Sequence, residues 1–417
     1  MKAPKKLGEF GKVLVRFASA QVFSNALRML SGFLVVSLID PELYGKFSGV
    51  GVYMGYVLLG NGGVINGLNR ELPYALGKGN DEEARQMASS VYVLVILLSI
   101  LASVIFLIFG LKYFVEGEVL MGWIFIAYSI MGGLHIMQKQ FLPVLYRTNK
   151  DFDSLSKQNI FTGIGNLISV IFIWLFGIYG LIARGIVVAG YELVLLFKNK
   201  PYQLDMKFNL NHFKLLFKTG LPIFAVGQIN PLWTTILNSL IFNIGGGLSF
   251  GLYALANITQ GAIGVIPKAF GQVIYPRMSI MLGQGRSITY ILKTNVKPLF
   301  FQFGLMLIIG ILGAYMLPIL VPILLPKYSG GIVAAQWMMF VPAVQSFGAL
   351  NNIYNVVKKQ KWYFVSLLSG ALMGSLFILS DYTANGFRLA AFPQGLLIGT
   401  SIQQLLSLFF LRYIARG

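Results

Sequence analysis

Three polar residues inside one apolar run carry the first chemical signal. Gln21, Asn25 and Arg28 fall within the stretch 13–39, which is long enough to cross a bilayer as a helix. Their i, i+4, i+7 spacing puts all three on one helical face. A guanidinium at that depth costs ~2.5–3.5 kcal/mol on insertion scales, so it is expected to face a bundle interior or a wet cavity rather than lipid. Such a charge suits an anion, and arginine offers a planar fork that grips phosphate oxygens two at a time. The neighbouring amides are donors and acceptors at once, the inventory needed to hold hydroxyl groups. The competing reading is structural, with Arg28 paired to carbonyls or to an acid on another helix.

Further polar residues interrupt other apolar runs. Asn61, Asn66 and Arg70 lie in or at the end of the second run, Gln228, Asn230 and Asn238 in the seventh, and Asn257, Gln260 and Lys268 in the eighth. Arg70 and Lys268 lie toward one end of their runs, where a long side chain can also snorkel to headgroups. Lys139, beside Gln138, is expected to snorkel, and Arg184 to anchor near the opposite interface. Acids are nearly absent from this set. Of the 14 Asp and Glu, Glu192 alone lies within an apolar run, which makes it the candidate for carrying a coupling proton. Walls with Arg and Lys but almost no carboxylate favour an anionic substrate over a cationic drug.

Little else in the chain could do chemistry. There is no cysteine, hence no disulfide or thiolate site, and His135 and His212 are too far apart to suggest zinc. No catalytic residue, metal or cofactor is assigned.

The elements that must position these residues follow from composition. Of 417 residues, 56% are hydrophobic and 11% charged, with a mean hydropathy of +0.72. A soluble domain carries about 25% charged residues. The chain therefore reads as an all-α polytopic membrane protein. Apolar runs divided by polar or Pro/Gly punctuation give twelve expected spans, at 13–39, 46–72, 88–112, 120–145, 158–179, 181–197, 215–244, 248–276, 291–317, 331–356, 362–380 and 393–413. The basic leader MKAPKKLGEFGK precedes a run longer than a signal-peptide core and without a small-residue cleavage site, so the first span is expected to be retained.

Charge tests the count. With the N-terminus cytoplasmic, 27 of the 33 Lys and Arg fall on the cytoplasmic side, and only Lys46, Lys112, Arg184, Lys327 and Arg388 on the other. A wrong number of spans would scramble that alternation. Both termini are thus expected in the cytoplasm. The same spread disposes of nucleic acid as a partner, since the net charge of +19 is distributed over every cytoplasmic loop and forms no single basic face.

The chain also repeats itself. Gly45 in LYGKF and Gly251 in SFGLY are 206 residues apart, as are Gly77 in LGKG and Gly283 in LGQG. Tyr146 and Tyr354, each ahead of a basic stretch, are separated by 208. Two six-helix lobes, 1–200 and 201–417, are expected. An even number of spans per lobe relates them by a pseudo-twofold along the membrane normal, the parallel repeat of transporters that bind substrate between halves. Spans 1, 2, 7 and 8 would wall that cleft. Pro231 after Asn230 predicts a bend in span 7, as a hinge or a static kink.

DPELYGKF at the end of the first span and GLNRELPYALGKGN after the second resemble the oligosaccharide-lipid flippases of bacterial O-antigen and capsule assembly. These belong to the multidrug/oligosaccharidyl-lipid/polysaccharide exporter superfamily, and the likeness of topology covers the whole chain. The resemblance implies transport of undecaprenyl-diphosphate-linked oligosaccharide repeat units across the bacterial inner membrane. It also implies a substrate diphosphate facing cationic positions that match Arg28, Arg70 and Lys268 here, and a polysaccharide polymerase and chain-length regulator as partners besides the lipid bilayer. Relatives that flip the peptidoglycan precursor usually have fourteen spans, which disfavours that substrate. A cation-coupled drug or metabolite exporter of the same fold is the alternative. An integral-membrane glycosyltransferase or polymerase is disfavoured, because every extracytoplasmic loop is short.

Overall fold

A computed structural model describes residues 9–357 and 359–415. Lys2, Lys5, Lys6, Lys358 and Arg416 of the charge count lie outside the described residues. Every regular element among the described residues is helical. Nine of these helices are long and apolar enough to cross a membrane. Two of the nine conceal a turn. The helix Leu210–Gly283 reverses at Gly246 (φ 72°, ψ −177°), and Val170–Lys198 bends at Gly177 (φ 56°, ψ −128°). A further crossing, 41–77, is broken into Pro41–Val52, Met54–Val57, a 3-10 turn Leu58–Asn61 and Val64–Gly77.

Twelve spans result. Spans 1 to 6 are Glu9–Leu38, 41–77, Asp81–Val115, Val119–Thr148, 152–176 and 178–198. Spans 7 to 12 are 210–245, 247–283, Ile288–Leu324, 326–356, Gln360–Asn385 and Ala391–Ile414. Each expected span has its counterpart. The expected limits err mostly by stopping short, because polar first and last turns such as Asp81-Glu82-Glu83 continue the helix beyond the apolar run.

The spans pack as two compact units, Met1–Ile39 with Lys46–Gln228 and Asp40–Gly45 with Ile229–Gly417. The packing boundary thus falls inside span 7, whereas the repeat divides the sequence near residue 200. In the first unit Leu68, Leu72, Phe141, Leu142 and Leu216 are fully buried. Spans 2 and 7 meet there backbone to backbone: a Cβ on Gly67 would lie 2.0 Å from the Leu216 carbonyl oxygen. In the second unit Leu299, Tyr354 and Leu411 are fully buried. Spans 11 and 12 approach through paired glycines, with a Cβ on Gly370 or Gly374 only 2.5 Å from the carbonyl oxygen of Gly399 or Gly395. Lipid is as apolar as leucine, so small residues that let backbones touch are how membrane helices gain packing.

The repeat is visible within each unit. Gly79 and Gly285 turn the chain after spans 2 and 8 with φ of 74° and 75°, a region that side chains with a Cβ rarely enter. The following amides bond alike, Asn80 N–H to the Ala75 carbonyl and Arg286 N–H to the Met281 carbonyl, both at 3.1 Å. Tyr146 donates its hydroxyl to the Leu196 carbonyl at 2.7 Å, and Tyr354 donates to the Ser407 carbonyl at 2.6 Å. The matched Gly45 and Gly251 lie in the opening turns of spans 2 and 8 rather than in loops. The linker after span 6 is held to the start of span 3. Arg85 donates to Asp205 at 2.7 Å, and Ser90 accepts from the Asn209 N–H at 3.1 Å.

Candidate substrate-binding site

Span 1 presents its polar stripe to spans 5 and 6. Gln21, Ser24, Arg28 and Ser31 recur every three or four residues, which keeps them on one side of the helix. Asn159 of span 5 donates its amide to Gln21 Oε1 at 2.9 Å, and Ser24 donates to the Asn159 carbonyl at 2.6 Å. Two turns further on, Ser31 donates to the Asn166 carbonyl at 2.7 Å. Gly163, between the two asparagines, lets Ser24 come close.

Arg184 of span 6 completes this seam. One guanidinium nitrogen donates to Ser31 Oγ at 2.8 Å and to Asn166 O and Oδ1 at 3.2 Å. Arg184 is therefore not the interfacial anchor expected from its place near a span end. The acceptors on spans 1 and 5 draw it into the bundle. Arg28 sits one turn before Ser31, half-buried, and has no hydrogen bond or ion pair among the described residues. Asn25 is half-buried beside it. Between Gln21 and Ser31 the seam holds two cations and, among the described residues, no acid. Toward its start Arg16 pairs with Asp153 of span 5 at 3.3 Å.

A second polar group joins spans 2, 4 and 6. Span 4 widens to a π turn at Met137–Phe141, a distortion common at functional sites. The turn points Lys139 at Glu192, with Nζ 2.7 Å from both carboxylate oxygens. Gln138 donates to the Ala189 carbonyl, and Gln140 accepts from Asn61 at 2.8 Å. Lys139 thus does not snorkel, because a buried carboxylate within reach holds its ammonium. Glu192, the candidate coupling acid, is buried and neutralised by this pair.

The other expected positions are scattered. Asn66 is half-buried, and Arg70 is exposed with only a long contact of 3.9 Å to Glu71. Gln228 closes the first unit, half-buried. In the second unit Asn230 is half-buried and its Oδ1 is buried without a hydrogen-bond partner, while Lys268 is exposed. The first unit therefore gathers Gln21, Asn25 and Arg28 with Asn159, Asn166 and Arg184. The last three were missed in the sequence, although two asparagines seven residues apart around Gly163 are the signal of a polar face on span 5.

Residues 72–325 match the family described as polysaccharide biosynthesis protein, which is more than half of the chain. The chain belongs to that family. Among solved structures, this polysaccharide biosynthesis protein resembles an inward-facing multidrug resistance MATE family transporter of the MOP superfamily. The TM-score is 0.78 at 14% identity, over 96% of this chain and 98% of that one. It also resembles the lipid II flippase MurJ in an inward closed conformation, with a TM-score of 0.68 at 15% identity over 97% and 88%. An outward-facing MATE structure aligns at 0.65 and 15% identity, over 100% and 99%. At such identities the likeness is one of fold. No curated protein matches the chain.

Proposed function

We propose that this chain is a flippase that moves undecaprenyl-diphosphate-linked oligosaccharide repeat units across the bacterial inner membrane by alternating access, for O-antigen or capsule assembly. The observation that carries this reading is Arg28, a half-buried cation in mid-span with no ion pair among the described residues, in a polysaccharide biosynthesis protein. Its guanidinium suits a diphosphate as a bidentate donor. Asn25, Asn66, Gln228 and Asn230 offer amides to sugar hydroxyls, and Arg70 and Lys268 offer charge at the ends of their spans. A polysaccharide polymerase and a chain-length regulator are the partners such a product would meet. A drug exporter that carries cations is the weaker reading, because Lys139 already occupies Glu192.

The test is flipping of a fluorescent undecaprenyl-diphosphate oligosaccharide in proteoliposomes. Arg28→Ala should abolish transport with protein abundance near normal, and Arg28→Lys should keep part of it, since it retains charge but loses the planar fork. Full activity of Arg28→Ala would sink the assignment. An equal loss of protein would make Arg28 structural.

A further inference from the structure

We propose that a groove along span 3 in the first unit holds the polyprenyl chain of the lipid-linked substrate, an inference that rests on the flippase reading above. A space of about 520 Å³ opens beside this span. One wall is a single stripe of Leu98, Leu101, Ile105, Phe109 and Tyr113, three or four residues apart. At 1.5 Å per residue that stripe runs roughly 22 Å along the helix. The facing wall is span 2 where its helix fails. Tyr53 and Tyr56 stand at the break, and Gly60 of the 3-10 turn contributes no side chain. Asn61, the polar residue of that turn, is directed to Gln140 instead. Phe125 closes the floor, with its ring 5.1 Å from Tyr113 and 5.8 Å from Phe109.

Size and chemistry together name the occupant. This space, about 520 Å³, is open along one side, so it is a groove for a chain and not a closed cavity. Its polar atoms are tyrosine hydroxyls and backbone, so hydrocarbon fills it better than water or sugar. The groove is long, which suits a chain lying along the membrane normal rather than a compact drug. Leu101, Ile105 and Phe109 are 55%, 45% and 46% exposed, so the groove is open along its length and a chain can enter sideways. Half of its lining residues are aromatic. An isoprenoid presents a methyl branch and a double bond in every unit to those ring faces, whereas a saturated acyl chain presents neither. Under the positive-inside reading, Tyr113 marks the outer end of the groove, which places the chain of a translocated substrate in the outer leaflet.

The test uses the full chain in phosphatidylethanolamine–phosphatidylglycerol proteoliposomes and a polyprenyl-diphosphate oligosaccharide with a diazirine on the prenyl chain. Labelled peptides should come from 53–60 and 98–113, and unlabelled polyprenyl diphosphate, but not added phospholipid, should remove the label. Labelling elsewhere, or equal competition by phospholipid, would overturn the assignment. Ala102→Phe and Gly60→Leu fill the groove. They should slow flipping of the long-chain substrate about ten-fold, equivalent to ~1.4 kcal/mol of lost chain binding, and leave a short-prenyl analogue with the same head at the wild-type rate. Equal effects on both substrates would also overturn it. Failure of the wild type to flip either substrate is a separate result, which would sink the flippase reading itself.

Discussion

At the scale of single residues, Arg28 and Arg184 have different surroundings. One guanidinium nitrogen of Arg184 donates to Ser31 and Asn166, while Arg28, one turn before Ser31 on span 1, makes no hydrogen bond or ion pair among the described residues. Lys139 and Glu192 are a third case, a pair whose members neutralise each other. Breaking a buried pair costs ~3–5 kcal/mol and an exposed one ~0.2–1 kcal/mol. Lys139 is 41% exposed and Glu192 9%, so Glu192→Gln should cost roughly 2 kcal/mol, between those limits. Thermal melts should show that loss, and Lys139→Gln with Glu192→Gln should recover part of it. If Glu192→Gln instead keeps its melting temperature and loses transport, Glu192 is a coupling residue and not half of a structural pair.

At the scale of helices, glycine decides which spans touch. A Cβ on Gly399 would meet Trp233 at 2.4 Å and the Gly370 carbonyl oxygen at 2.5 Å. Gly399→Ala should therefore cost ~1–3 kcal/mol through overpacking, read as a lower midpoint in detergent melts. Gly304 of span 9 has no atom within 4 Å of a Cβ, so Gly304→Ala should be neutral or gain ~0.5–1 kcal/mol from reduced backbone entropy. The same distinction explains what the sequence disclosed. Hydropathy and Lys/Arg alternation reveal twelve crossings because burying an uninterrupted apolar run is a local property. The fixed offset reveals the repeat because Gly79 and Gly285 answer one backbone demand. The three breaks of span 2, the π turn at Met137–Phe141 and the capture of Arg184 by Asn166 stayed hidden. They depend on which helix lies alongside, and a linear pattern does not say which. Gln21, Asn25 and Arg28 were legible as a face, but Asn159 as the partner of Gln21 was not.

At the scale of the whole chain, the shortage of mid-membrane acids bears on energetics. A diphosphate diester carries about two negative charges, and moving each through 100 mV is worth ~2.3 kcal/mol. Outward flipping under an inside-negative potential therefore gains up to ~4.6 kcal/mol per 100 mV if the charge crosses the full field. On the flippase reading proposed above, the same field would return an empty carrier with Arg28 unpaired. Flipping in proteoliposomes should thus rise with a valinomycin-imposed potential and need no sodium or pH gradient. Transport that ignores voltage but follows either gradient would contradict this.

The paired turns also carry a record of insertion. Gly79 and Gly285 are 206 residues apart, Tyr146 and Tyr354 208, and the hairpin glycines Gly177 and Gly386 209. Two of the added residues lengthen one helix, since span 3 has 35 residues and span 9 has 37. The turn after Tyr146 has kept its length of three residues in both copies, 149–151 and 357–359. The Gly79 turn has three residues, 78–80, and its counterpart four, 284–287. What both Gly79 and Gly285 keep is the left-handed glycine and the backbone bond that closes it. That pattern predicts where foreign sequence can be spliced in. An epitope tag placed between Glu116 and Gly117 should leave export intact and be reached by antibody on spheroplasts. The same tag between Gly79 and Asn80 should cost the protein its fold, because it would interrupt a turn whose positive-φ glycine and closing backbone hydrogen bond recur in both halves.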